Sequence, residues 1–222
     1  MIVNYHSLFF ALGALSGLIV YIRLNNKLSV NSLVQDYFWA LLFGLLGARL
    51  AYSMFFGFAS FLELVAFWQV GLISYGGIIL GLVVFYLRQS HNPHRSDRLD
   101  TFVISIALAW TVGRLGNYFE QDAYGVVNES FSLFYNRVPI SLFESLVAFI
   151  LFITCLNWWR QGLFTGKIAW IIFTLYFLAR FIIDFYRDLP PYYLNLNISQ
   201  LVALLLAVCG IILISYEQRK KK

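Results

Sequence analysis

The sequence predicts an all-α membrane protein with seven transmembrane helices, and three observations carry that expectation. Hydrophobic residues make up 60% of the 222 positions and charged residues 12%, with a mean hydropathy of +0.73, whereas a soluble domain carries about 25% charged residues. Apolar windows recur at about 17–22 residues, the length at which a helix rising 1.5 Å per residue crosses the hydrocarbon core. The Lys and Arg residues between those windows fall almost entirely on alternate sides. A single polytopic domain over residues 1–222 is expected, amino terminus outside and carboxyl terminus inside.

The windows lie at about Ser7 to Ile22, Tyr37 to Phe56, Val70 to Leu87, Leu99 to Phe119, Ile140 to Trp159, Ile168 to Tyr186 and Ile198 to Tyr216. The first has no basic residues before it and no small-residue cleavage site after it, so it reads as a retained span. One set of connecting segments holds Arg23, Lys27, Arg88, Arg95, Arg98, Arg160, Lys167, Arg219, Lys220, Lys221 and Lys222, while the other holds Arg137 and Arg187. The richer set is the cytoplasmic one. Basic residues thus mark topology rather than one continuous face, which argues against a nucleic-acid surface despite the net charge of +5. Cys155 and Cys209 sit inside apolar runs with no C-x-x-C and no neighbouring His, so neither a disulfide framework nor a zinc site is indicated, and both read as buried small hydrophobes.

The remaining basic residues, Arg49, Arg114 and Arg180, lie within spans. An Arg at the centre of a membrane helix costs roughly 2.5–3.5 kcal/mol on insertion scales, so such a residue marks an ion pair, bound water or a substrate. By depth, Arg49 in span 2, Arg114 and Asn117 at the end of span 4, Glu144 one turn into span 5, and Arg180, Asp184 and Arg187 at the end of span 6 all belong to the outer half. Tyr5, before span 1, and Tyr75, early in span 3, come to the same level. Together they predict a polar chamber opening to the outer leaflet. In A-R-F-I-I-D-F-Y-R-D the spacing places Arg180, Asp184 and Arg187 on one helix face. Glu144 reads equally as a structural partner of Arg49 and as a chemical group.

The densest stretch is Trp110 to Gly125, W-T-V-G-R-L-G-N-Y-F-E-Q-D-A-Y-G. Gly113 and Gly116 flank Arg114 and allow a backbone or a ligand to come close. Segment 120–138 is short and of mixed charge, a cap loop on the outer side. His91 and His94 fall in an inner loop rich in turn formers and read as solvated. His6 lies beside Tyr5 at the outer end of span 1 and reads as an interfacial residue.

These residues resemble those of the prolipoprotein diacylglyceryl transferase family, bacterial membrane enzymes that move diacylglycerol from phosphatidylglycerol onto the lipobox cysteine of a preprolipoprotein. The resemblance covers essentially the whole chain. G-R-L-G-N-Y-F-E-Q-D-A-Y-G is similar to the family signature, with Arg114 and Asn117 at its Arg and Asn, Asp122 where the family prefers Glu, and Gly125 at its closing Gly. N-Y-H-S-L places Tyr5 at the family's Tyr, and G-A-R-L-A-Y resembles G-G-R-x-x-Y through Arg49 and Tyr52. V-P-I-S-L-F-E-S resembles H-P-x-Q-L-Y-E through Pro139 and Glu144. R-F-I-I-D-F-Y-R resembles R-x-x-x-E-F-x-R through Arg180, Asp184 and Arg187, and Gln200 in I-S-Q matches a late Gln. The sequence departs from the pattern where many members have His before two Gly, since Tyr75 precedes Gly76 and Gly77. Val138 stands for another His, Ser141 for a Gln, and both acidic positions are shortened to Asp.

The resemblance implies displacement at the sn-3 carbon of the glyceride by a cysteine thiolate, with glycerol 1-phosphate leaving. Arg114 and Arg180 would then hold the phosphate, Arg49 and Arg187 support them, and Asn117 orient the head group. For the base, Tyr75, Tyr5, Asp122 and His6 stay open. No metal or cofactor motif is found. The implied partners are phosphatidylglycerol, a prolipoprotein with a lipobox cysteine, and membrane lipid; the implied location is the bacterial cytoplasmic (inner) membrane. A homologue that binds anionic phospholipid or lipoprotein without catalysis, or that uses another acceptor, is the alternative. A transporter is disfavoured because no charged relay crosses the inner half.

Overall fold

The computed structural model describes residues 5–57, 73–120, 125–134 and 136–220. The described residues form seven α-helices: α1 Tyr5–Leu24, α2 Val30–Phe56, α3 Ser74–Arg88, α4 Arg95–Phe119, α5 Ile140–Arg160, α6 Ile168–Ile183 and α7 Ile198–Lys220. Short 3-10 turns occupy Glu129–Phe134 and Asp184–Tyr186. Six of the helical segments are long and apolar enough to cross a membrane, and Ser74–Arg88 is a shorter apolar helix of 15 residues. The seven helices match the expected number and each overlaps one apolar window, but α2 and α4 begin earlier than their windows, at Val30 and Arg95, and α3 begins later, at Ser74. Large apolar side chains such as Leu15, Ile19, Ile150, Leu205 and Ile212 are exposed on helix surfaces, as helices that face hydrocarbon require. Cys155 is buried as expected, but Cys209 is exposed on α7. Its neighbours Val208, Ile211 and Ile212 are exposed with it, so that stripe faces outward from the packed helices.

The chain packs as two compact units, one of Met1–Tyr21 with Asp100–Lys222 and one of Ile22–Leu99. In the smaller unit α2 and α3 meet through glycine. A Cβ added at Gly47 would stand 2.5 Å from the Gly76 carbonyl oxygen, and one at Gly77 would stand 2.9 Å from that of Gly44. Gly76 and Gly77 therefore hold two helix backbones together rather than opening space beside Tyr75. The same unit has a buried polar knot at Asp36 of α2, which is 4% exposed. Asp36 accepts from Arg88 Nε at 3.0 Å, Gln89 Nε2 at 2.7 Å and Arg98 Nη2 at 2.8 Å. One carboxylate thus ties the start of α2 to the end of α3 and the start of α4.

In the larger unit α1 lies against α4 through Gly13, whose added Cβ would come within 2.5 Å of the Ala109 carbonyl oxygen. Helix α6 begins with no side-chain cap of its own. Its start is served instead by fully buried Asp100 of α4, which accepts from the backbone N–H of Gly166 and, at 2.8 Å, of Ala169. Free N–H groups at a helix start favour such an anion. Helix α7 opens with a reciprocal cap: Asn197 Oδ1 accepts from Gln200 N at 2.8 Å and Gln200 Oε1 accepts from Asn197 N at 2.9 Å.

Candidate functional site

The polar residues of the larger unit converge where α4, α5 and α6 end or begin. Helices α4 and α5 are joined first by Ser145 Oγ, which donates to the Thr111 carbonyl at 2.9 Å. One turn along α4, Arg114 Nε meets Glu144 Oε2 at 2.8 Å. The other Glu144 oxygen is paired with Arg180 Nη1 of α6. Arg180 Nε reaches Asp184 Oδ2 at 3.4 Å, and Asp184 Oδ1 faces Arg187 Nη1 at 3.6 Å. The five side chains form one alternating sequence of charge: Arg114, Glu144, Arg180, Asp184, Arg187. Glu144 and Asp184 are each 1% exposed and Arg180 is 4% exposed, so the acids and the central cation are withdrawn from solvent while an Arg stands at each end.

Three guanidinium groups against two carboxylates leave one positive charge in excess. Buried ion pairs persist when geometry and additional hydrogen bonds offset desolvation, and Asp184 has such support. Its carboxylate accepts from Ser199 Oγ, and its backbone carbonyl accepts from Asn197 Nδ2 at 3.2 Å. Among the described residues, Arg114 touches Glu144 through Nε and lies over the Trp110 ring, with Cζ 4.7 Å from the centroid. Beside it, a Cβ added at Gly113 would meet nothing within 4 Å. Gly116 differs, since a Cβ there would press on Phe9 Cβ at 2.7 Å and the Tyr5 carbonyl oxygen at 3.2 Å. Of the two glycines flanking Arg114, one leaves room and the other seats α1.

Arg187 departs from the helical register that its spacing suggests. The α-helix ends at Ile183, a 3-10 turn follows, and Arg187 is extended at φ −86°, ψ 139°. It shares no helix face with Arg180, yet the tighter turn still brings it to Asp184. Gly125 pairs with Arg187 in an antiparallel bridge, and Val126 N donates to the Tyr186 carbonyl at 2.9 Å. A Cβ on Gly125 would collide with that carbonyl and with Val138 Cβ at 2.9 Å, which is the physical requirement for Gly at the end of the signature stretch.

Other expected site residues are placed as follows. Tyr5 stands at the end of α4 against Phe119, ring centroids 6.0 Å apart, and the adjacent His6 N–H donates to Glu120 Oε1 at 3.1 Å. Asn117 is on α4, one turn beyond Arg114 and on its face. Arg49, 4% exposed with Cζ 5.4 Å from the Tyr52 ring centroid, and Tyr75, at the start of α3, belong to the smaller unit. Asp122 lies outside the described residues. Glu144 spends its two oxygens on Arg114 and Arg180. Asn197 and Ser199 were not singled out by charge or hydropathy, although N-I-S-Q is the capping-box pattern that fixes Asn197 and Gln200. His91 and His94 are exposed, with His94 beside Asp97 in a loop.

The chain matches the family model for prolipoprotein diacylglyceryl transferase over residues 1–216. A Streptococcus agalactiae serotype V protein named phosphatidylglycerol–prolipoprotein diacylglyceryl transferase is 31% identical over 198 residues, covering 80% of this chain and 76% of its own. Proteins of the same name from Finegoldia magna and Streptococcus uberis are each 29% identical, over 229 and 238 residues, covering 98% and 96% of this chain and 92% and 91% of their own.

Proposed function

The chain belongs to the prolipoprotein diacylglyceryl transferase family, and we propose that it moves the diacylglyceryl group of phosphatidylglycerol onto the lipobox cysteine of a prolipoprotein, releasing glycerol 1-phosphate. In this step the bond between the sn-3 carbon and the phosphate oxygen breaks, the electron pair leaves with the phosphate, and the thiolate sulfur forms a thioether to that carbon. The thiol proton goes to a base. The reaction belongs at the outer face of the bacterial cytoplasmic membrane, with the amino terminus outside and the carboxyl terminus inside.

The observation that carries this reading is the alternating row of Arg114, Glu144, Arg180, Asp184 and Arg187, buried in a chain of membrane helices with one positive charge in excess. A departing phosphate supplies the missing negative charge at the moment it develops, and fixed donors in a water-poor site stabilise it there. Arg114 offers its terminal nitrogens as a planar fork. Arg180, held between two acids, adds charge without leaving its place, and Asn117 orients the head group from the same face as Arg114. Val138, where the family resemblance suggests His, is a buried apolar residue 2% exposed, so the thiol proton has to be taken elsewhere. Tyr75, Tyr5, His6 and Asp122 are the groups to test, and Tyr75→Phe lowers transfer about 10²–10⁴-fold if its phenol is the base.

The deciding experiment uses the purified protein, labelled phosphatidylglycerol and a lipobox peptide, with the thioether-linked product measured by mass spectrometry. Product formation is the expected result. Binding of lipid and peptide with no product at any pH favours the second reading, a homologue that binds without catalysis, which the replacement of two His positions by Tyr75 and Val138 would then explain.

A further inference from the structure

Glu144 holds its two cations in different ways. Arg180 donates a hydrogen bond from Nη1 to Glu144 Oε1. Arg114 Nε stands 2.8 Å from Glu144 Oε2, yet that oxygen accepts no hydrogen bond among the described residues. The ion pair therefore fixes the charge of Arg114 without fixing the direction of its guanidinium. What lies against that guanidinium is the Trp110 ring, its centroid 4.7 Å from Cζ. We propose that Trp110 is a positioning residue: its ring face sets the plane of the Arg114 guanidinium and so aims the terminal nitrogens at the departing phosphate. This role, which rests on the transfer reading above, falls to a residue outside the G-R-L-G-N signature.

The local geometry follows from the sequence. Trp110 and Arg114 are four residues apart on α4 and share a face. A long side chain in a helix leans back over the turn before it, which lays the Arg114 guanidinium across Trp110. The ring is itself held from α6. Tyr176 packs against it edge to face, with centroids 5.9 Å apart and planes at 83°. Tyr176 in turn meets Phe177 at 5.4 Å, a residue 1% exposed. The orientation of the ring is thus set from the buried side of α6.

The residue type also points to use of the face. Trp110 Nε1 is buried with no hydrogen-bond acceptor among the described residues, so indole is an unfavourable filler here. Phe or Leu would occupy the space with no stranded donor. What Trp offers over either is the ring face most attractive to a cation. That attraction is larger where water is scarce, and the Arg114 side chain is 11% exposed. A stacked guanidinium keeps its N–H groups in the plane of the fork, open to a second partner. Fixing that plane in advance removes reorganisation at the moment when charge develops on the phosphate.

The test replaces Trp110 in the full chain by mono-, di- and tetrafluorinated tryptophan through nonsense suppression. Fluorine withdraws negative charge from the ring face with little change of shape. With labelled phosphatidylglycerol and a lipobox peptide in nanodiscs, kcat is expected to fall stepwise along the series, roughly tenfold in all. The melting temperature and the KM for the peptide should not move. Trp110→Phe should retain more activity than Trp110→Leu, and in an Arg114→Ala background the fluorine series should have no further effect. A rate indifferent to fluorination, or the same slope without Arg114, overturns the role and leaves Trp110 as packing. A rate that rises with fluorination overturns it as well, because the indole N–H becomes a better donor as the ring loses charge. If the wild type forms no thioether, the transfer reading fails and the Arg114 Nε–H proton decides on the contact. A ring-current shift that Trp110→Leu abolishes keeps the positioning of Arg114; an unshifted proton overturns it.

Discussion

Two buried clusters of Arg and carboxylate occur in this protein, and they are built differently. Around Asp36 a single acid receives three donors at 2.7–3.0 Å from Arg88, Gln89 and Arg98, all at hydrogen-bonding distance. In the row from Arg114 to Arg187, Glu144 holds both of its cations closely, Arg114 at 2.8 Å, whereas the contacts at Asp184 are 3.4 and 3.6 Å, and the far end borders a cavity. The first arrangement converges on one point and ties three helices together. The second is strung out, with cations at both ends that have donors to spare. Charge in a membrane protein can thus serve as a clamp or as a receptor, and the difference lies in whether the donors converge on an acid or outnumber it along a line.

The comparison is broken or sharpened most strongly by Asp36→Ala. Removing the acid strands two cations, and losing one partner of a buried pair costs about 3–5 kcal/mol. The expected outcome is a large fall in melting temperature in detergent with the rate per folded molecule unchanged; a lower rate per folded molecule would make Asp36 part of the chemistry and end the distinction. Arg114→Ala is the converse case. Glu144 keeps Arg180, so the fold should survive, while transfer falls at least about 100-fold, the roughly 2.7–4 kcal/mol that a transition-state charge contact supplies. Arg114→Lys should restore little, since a point charge lacks the fork; near-normal activity in Arg114→Ala would remove the row from the mechanism.

Smaller effects come from the glycines beside Arg114. Gly116→Ala forces α1 away from α4 and should cost about 1–3 kcal/mol of stability, as overpacking does, seen as a lower melting temperature. Gly113→Ala has open space to fill and should alter stability by no more than about 0.5 kcal/mol. If Gly113→Ala is stable yet turns over more slowly, the space beside Arg114 is occupied by substrate; an unchanged rate places the substrate elsewhere along the row.

The sequence by itself determined the number of helices and roughly where each runs, because the length of an apolar run is a local quantity that the bilayer thickness converts directly into a span; it missed the polar first turns of α2 and α4, which begin at Val30 and Arg95. It also marked Arg114, Glu144, Arg180, Asp184 and Arg187, since a charge inside an apolar run is conspicuous whatever surrounds it. Partnership is another matter. That Glu144 stands between Arg114 and Arg180, that Arg187 leaves the helix after a 3-10 turn, and that Gly76 and Gly77 seat α2 instead of opening a pocket all depend on which helices lie side by side. Asp36 shows the same limit, because its three donors are 52 to 62 residues away in the chain and nothing near it in sequence announces them. Only the tertiary structure could decide whether a buried charge is satisfied or left waiting, because that depends on distances of a few tenths of an ångström between groups on different helices.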